Sequence, residues 1–346
     1  MMESRTAPLV LTDPMSRPRP LRALERIIAA IVHDPRDLPF VWLIAAVSAT
    51  VVPAAVLLMI EPDFSWWAAS AYLLVVIGVC HARFLAMYHY IAHRPLFTRR
   101  AAFLKQYVNW ILGPLFGVPP NGYYAHHILM HHVENNQEGD LSSTMRYQRD
   151  SFREFLRYCL DVLAGAYYRL PISLLRRKRY RLAQHVLIGE FSYFALIGVV
   201  ACFNWRAALI VYIIPWAVAM VGFCCTTWGA HAFIDPAAPD NIYRGTVICL
   251  NTLYNHLAFN DGYHIVHHVK PNLHWTEMPE EFLANRATYA REGAIIFQKL
   301  DYQAIVFLLM IKRYDVLARH CVHLGTRRSE DETVALLRER TAKFTA

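Results

Sequence analysis

Four apolar runs, arranged as two pairs, set the pattern of this chain. Residues 40–60, FVWLIAAVSATVVPAAVLLMI, carry no charge and reach the ~20 residues that a helix needs to cross the hydrocarbon of a bilayer. A tight EPDF connector follows, and residues 66–82 are apolar again. The second pair occupies 184–203 and 207–226, joined by a short NWR turn. Pro53 falls inside the first run, which a membrane helix tolerates because its neighbours satisfy the freed carbonyl. Trp66, Trp67 and Trp205 stand where interfacial aromatics belong. The pattern predicts an all-α integral membrane protein with four transmembrane helices in two hairpins, so both termini share one side.

The stretches between and after the pairs are of other kinds. Residues 108–121, VNWILGPLFGVPPN, are too short and too broken by Gly and Pro to span, and predict a re-entrant or interfacial helix. Residues 151–175 mix Phe152, Phe155, Leu156 and Tyr158 with Arg and Asp, the pattern of an amphipathic surface helix. Beyond 276 the chain reads mostly as soluble helix, and the charged stretch 327–346 is expected to fray. The organisation is an N-terminal segment (1–38), a membrane domain with a helical cap (39–280) and a C-terminal helical segment (281–346), with no internal repeat.

Composition agrees with this reading. Hydrophobic residues make up 55% of the 346 positions, above the ~45–50% of an ordinary soluble domain. The net charge of +8 collects at Arg17, Arg19, Arg22, Arg26 and Arg36 before the first run, at Arg99 and Arg100 after the second, and at Arg176 to Arg181 before the third. Such clusters mark the cytoplasmic face and its anionic lipids. Topology explains the basic patches, and no nucleic-acid partner is expected. Connectors on the opposite side are too short to hold a catalytic domain, so every polar histidine cluster falls on the cytoplasmic side with both termini. No cleavable signal is evident, and a multi-pass protein of a bacterial inner membrane is expected. The seven cysteines form no disulfide framework, and adjacent Cys224 and Cys225 read as buried small hydrophobes.

The candidate chemistry lies in nine of the 17 histidines. His89 and His93 lie four apart in MYHYIAHRP, on one face of a helix continuing the second run. In YYAHHILMHHVENN, His127, His131 and His132 stand at i, i+4 and i+5, so one helix can feed two nearby metals, with His126 left over as a supporting group. DGYHIVHH repeats the idea with His264, His267 and His268, and His231 stands alone after the fourth run. Nine imidazoles exceed what one ion accepts, which implies two metals with four or five nitrogens each. Structural zinc prefers four ligands, often thiolates, whereas imidazole also suits iron. The inferred cofactor is therefore two Fe ions. A close pair of irons shares the electrons needed to cleave dioxygen, a capability that an inert alkyl C–H bond would demand.

HYIAH, HHILMHH and FNDGYHIVHH resemble the three histidine boxes of the membrane fatty acid desaturase and hydroxylase superfamily, over roughly residues 40–280. The resemblance implies four transmembrane helices carrying a cytoplasmic di-iron centre, with O2 as co-substrate. It also implies a further histidine ligand between the second and third boxes, which His231 in TTWGAHAFIDP matches. Family members place an asparagine four residues earlier, reaching metal through water; Thr227 stands there in this chain. Asn260 is expected to orient a ligand imidazole, and His256 in LYNHLAF is the reserve ligand. For each of Asp261, Glu134, Glu138, Asp140 and His274 two roles are open alike, hydrogen bonding to a ligand or structural duty such as a salt link to Arg146 or Arg149. The stretch VKPNLHWTEMP after the third box departs from the aromatic-proline ending common in lipid desaturases.

The expected activity is O2-dependent oxidation of a fatty acid or acyl lipid, with desaturation first. Oxidative decarboxylation of a free fatty acid to a terminal alkene, as in the superfamily's decarboxylase branch, and alkyl hydroxylation are the alternatives. No CxxC-rich stretch or GxGxxG is present, so electrons are expected from a separate donor, a ferredoxin with its reductase or a cytochrome, steered by the basic face. A transporter would need polar groups inside the spans, which hold almost none beyond Glu190. A membrane zinc hydrolase is the alternative of a different class, although the carboxylate of an HExxH motif is missing.

Overall fold

The computed structural model describes residues 9–16, 19–61, 63–325 and 327–344. Arg17 of the basic N-terminal set and Pro62 of the EPDF connector lie outside the described residues. Among the described residues, three helices are long and apolar enough to cross a membrane: Pro35–Ile60, Trp66–His93 and Tyr180–Ala230. The first opens on Asp34, whose carboxylate accepts the Arg36 N–H at 2.9 Å. The second is capped by Ser65, which accepts the Ala68 N–H. It stops at Arg94, held extended (φ −127°, ψ 125°) by the following Pro95.

The third helix cannot be one rod, since 51 residues at 1.5 Å each would run to ~77 Å, over twice the ~30 Å of hydrocarbon. It breaks at Asn204 (φ −149°, ψ 87°). The Asn204 side chain accepts the Ala207 N–H and donates to the Leu58 carbonyl, each at 3.1 Å. Past this point the chain doubles back: Tyr193 donates to the Tyr212 carbonyl at 3.1 Å, and the Phe194 and Trp216 rings lie 6.1 Å apart. The NWR stretch is thus a tight reversal whose cap is its own asparagine.

Residues 103–121 form short helical turns tucked inward, with Val108, Leu112 and Phe116 buried. Phe116 stacks on Phe84 at 4.0 Å. Gly117 has φ +79°, and a Cβ there would lie 2.4 Å from the Trp216 Cα. Only glycine lets this loop press against the returning arm. Phe152–Ala164 buries Phe155, Tyr158 and Val162, while Phe152, Leu156 and Leu160 on the opposite stripe are exposed. The helix therefore has two apolar faces, one against Trp228 and one free.

The cap departs from pure helix in one place among the described residues. β1 (Val247–Leu250) and β2 (Ile295–Gln298) form a parallel two-stranded sheet, almost wholly buried. The C-terminal stretch does not fray as expected. Glu330–Thr341 is helical, opened by a capping box of Ser329 and Glu332, with Leu337 fully buried and Arg340 paired to Asp235 at 2.8 Å. Arg149, expected to form a salt link, instead lies buried and donates to the carbonyls of Thr144, Met145, Tyr147, Ala232, Arg340 and Ala342. Arg146 faces Asp161 at 3.7 Å.

Candidate metal centre

Each histidine box sits at or near a helix end, where side chains converge from different directions. His89 and His93 occupy the last turns of Trp66–His93. His127–His131 is one turn of π-helix, followed at once by His132. Its i→i+5 hydrogen bonding widens the turn, so residues five apart nearly align. Asn135 and Asn136, both left-handed (φ 46° and 62°), end that helix. His231 is the first residue past Ala230, and His264, His267 and His268 lie on His264–Val269. That last helix is anchored to β1 through Gly262, whose carbonyl accepts the Cys249 N–H at 2.8 Å and whose own N–H donates to the Asn255 side chain at 2.9 Å. A Cβ on Gly262 would fall 2.3 Å from the Asn255 Oδ1, so no larger residue fits.

The nine histidines gather in two groups. One holds His89, His93, His127, His132 and His267; the other holds His131, His231, His264 and His268. In each group one nitrogen per residue lies within 4.8 Å of every other. The neighbours His131 and His132, and likewise His267 and His268, part company and serve different groups. The groups are therefore adjacent, with the His132 and His268 rings only 4.6 Å apart.

Three outer contacts fix the free nitrogens. The His231 Nδ1 lies 2.9 Å from the Gly245 carbonyl, which only accepts, so the proton is on Nδ1 and the Nε2 lone pair faces its group. Asp261 stands 2.9 Å from the His89 Nδ1 and Asp140 stands 2.6 Å from the His131 Nδ1, with the same consequence. Burial pushes His127, His264, His267 and His268 well below the ordinary imidazole range, and the like charges of their neighbours add to this. Burial also pushes His132 down to about 2 and His231 to about 3. Burial alone would raise Asp140, yet the facing His131 and His126 hold its carboxyl well below the usual range.

This donor set fits metal ions. Lone pairs held face to face repel unless a cation lies between them. Nε2 separations are 2.9 to 3.1 Å in the five-histidine group and 3.1 and 3.3 Å in the other. Nitrogens about 2.1 Å from a shared ion stand ~3.0 Å apart at right angles and ~3.4 Å apart at tetrahedral angles. The five-histidine group thus matches a coordination number above four.

The remaining candidates divide. His126 lies 3.6 Å from Asp140 but in neither group. Thr227 accepts the His231 N–H through its carbonyl, and lines a cavity beside the histidines. His256 is exposed and joins neither group. Asn260, expected to orient an imidazole, instead donates to the carbonyls of Pro14 and Trp275 at 2.6 and 2.8 Å, fastening the third box to the N-terminal segment. Asp261 also accepts from the Tyr254 hydroxyl at 2.5 Å. Glu134 pairs with Arg177 at 2.7 Å, Glu138 is exposed, and His274 pairs with Asp37 at 2.9 Å. The Gly245 carbonyl and Tyr254 were missed because neither a backbone acceptor nor a group holding another group leaves a spacing signal.

The cavity, about 290 Å³, is mostly apolar and touches both groups through His89, His127, His131 and His264. A model of the fatty acid desaturase family matches residues 65–299, more than half of the chain. The chain belongs to the fatty acid desaturase family. With its paired histidine groups, it is a member of the di-iron desaturase and hydroxylase superfamily. The family match contains every histidine of both groups, and it leaves the first long helix outside. No curated protein and no solved structure matches the chain.

Proposed function

We propose that this protein desaturates a fatty acyl chain in an O2-dependent reaction, with one iron in each histidine group. The observation that carries the reading is the convergence of nine imidazoles in two adjacent groups at the wall of an apolar cavity. Iron held there would supply dioxygen activation and hydrogen removal from an unactivated carbon. The protein's own part is positioning. Asp140, Asp261 and the Gly245 carbonyl hold the Nδ1 protons outward and keep three imidazoles oriented. The apolar lining holds the chain against His89, His127, His131 and His264 and keeps water away.

The charge distribution supports four crossings in two hairpins, with the histidines and both termini on the cytoplasmic side of a bacterial inner membrane. Electrons would then come from a separate acidic donor docking on the basic face. A zinc hydrolase is the weaker reading, because the two buried carboxylates in contact with the histidine groups, Asp140 and Asp261, already accept from imidazoles.

The test is mass spectrometry of lipids from cells making the protein and fed deuterated fatty acids, alongside metal analysis. Expected are two irons per chain and an O2-dependent product with unchanged carbon count and one new internal double bond. A terminal alkene one carbon shorter would replace desaturation by decarboxylation, and an added hydroxyl would replace it by hydroxylation. Zinc with activity in the absence of oxygen would sink the oxidative reading.

A further inference from the structure

The cavity has polar groups that the metal centre does not use. Glu190 and His81 both line it, and each is only 8% exposed. The His81 Nε2 has no hydrogen-bond partner. Among the described residues Glu190 makes neither a hydrogen bond nor an ion pair, and its carboxyl oxygen faces Gly122, another lining residue, 3.8 Å from where a Cβ would stand. His81 precedes His89 by eight residues on the same helix, which is ~12 Å along its axis. Tyr167 lines the cavity too, near enough to feel the Glu190 charge. Its hydroxyl accepts from the Trp216 indole at 2.7 Å, so its own proton is free.

A buried carboxyl group on a membrane-crossing helix is expensive, and such groups mark substrate or ion pathways. A plain alkyl chain filling the cavity would leave Glu190, His81 and the Tyr167 proton all unpaired. A carboxylate there would be repelled by Glu190. A hydroxyl satisfies both needs, donating to Glu190 or to the bare His81 Nε2 and accepting from Tyr167. We infer that the ligand of this cavity carries a neutral hydrogen-bond donor, a hydroxyl in the simplest case, and that Glu190, with the Tyr167 hydroxyl near it, reads that group. Glu190 is then a specificity-determining residue, and the substrate is a hydroxylated alkyl or acyl chain.

This rests on the cavity being the acyl-chain site, so the experiment reads binding without turnover. The full chain in phosphatidylcholine nanodiscs is titrated with radiolabelled 1-dodecanol, dodecanoate and dodecane. Dodecanol should bind about tenfold more tightly than dodecane. Glu190→Leu should bring that ratio close to one while dodecane binding persists, which also reports folding. Glu190→Gln, which keeps an acceptor, should retain most of the preference. Equal affinity for all three ligands in the unaltered protein overturns the inference, as does tighter binding of dodecanoate or an unchanged ratio in Glu190→Leu. Acyl oxidation without an alcohol preference removes only the Glu190 assignment. The preference without any oxidation removes only the desaturase reading.

Discussion

The five-histidine group and the four-histidine group draw on shared boxes, yet they differ in exposure and in backing. His93 and His132 of the first are only half-buried, whereas all four members of the second are buried. The first is held from outside by a carboxylate, Asp261 on His89. The second has both Asp140 on His131 and the Gly245 carbonyl on His231. One half of the centre is built for access and the other for rigidity. That division puts solvent access on the side of His93 and His132, where the proposed electron donor would approach.

The largest effects should come from removing a ligand. His267→Ala strips the half-open group and His264→Ala the closed one; each should take oxidation below detection while metal analysis finds one ion retained. Loss of both ions in either variant would mean the two groups load as a unit. Next come the outer carboxylates, where loss of such a contact weakens metal binding or activity about 10–100-fold. Asp140→Asn should fall at the severe end, because Asp140 also accepts the Ser142 N–H and hydroxyl. Asp261→Asn should be milder, and equal losses would erase the contrast. A chelator time course should then be biphasic, with the first ion leaving severalfold faster; a single phase would argue for equal access.

The smallest effect is a pH dependence of the metal-free protein. His231 titrates near 3 in the fold against an ordinary 6.5, so between these values the unfolded chain binds more protons. Stability is then fully present above pH 6.5 and is lost as the pH falls. Melting scans from neutral to about pH 5 should decline, and His231→Asn should make the decline shallower without removing it, since burial depresses His127, His132, His264, His267 and His268 as well. An unaltered slope would detach His231 from the closed group's stability.

The long apolar helices and the histidine clusters were legible because each depends on local order: uncharged length for the helices, and spacing on a turn for the ligands. The partition between groups was not. HHILMHH on an α-helix would align His127 with His131, whereas the π turn aligns His127 with His132 and releases His131 to the other group. That choice is made by tertiary packing. β1 and β2 were invisible because VICL and IIFQ are each four residues and become strands only by meeting. The C-terminal charges predicted fraying, but that helix is docked by buried Thr333, Leu337 and Thr341, by the Arg340–Asp235 pair and by Arg149 at its end. Asn260 looked like a ligand's support and proved to be a strut between distant carbonyls, a role with no sequence period.

Arg149 has a long-range consequence. Its guanidinium spans from the Ala232 carbonyl, one residue past His231, to the carbonyls of Arg340 and Ala342, so a helix distant in sequence braces the backbone beside the closed group. Loosening Glu330–Thr341 would leave a buried cation short of two acceptors. Damage to that helix should therefore register as poorer metal loading at His231 and its partners.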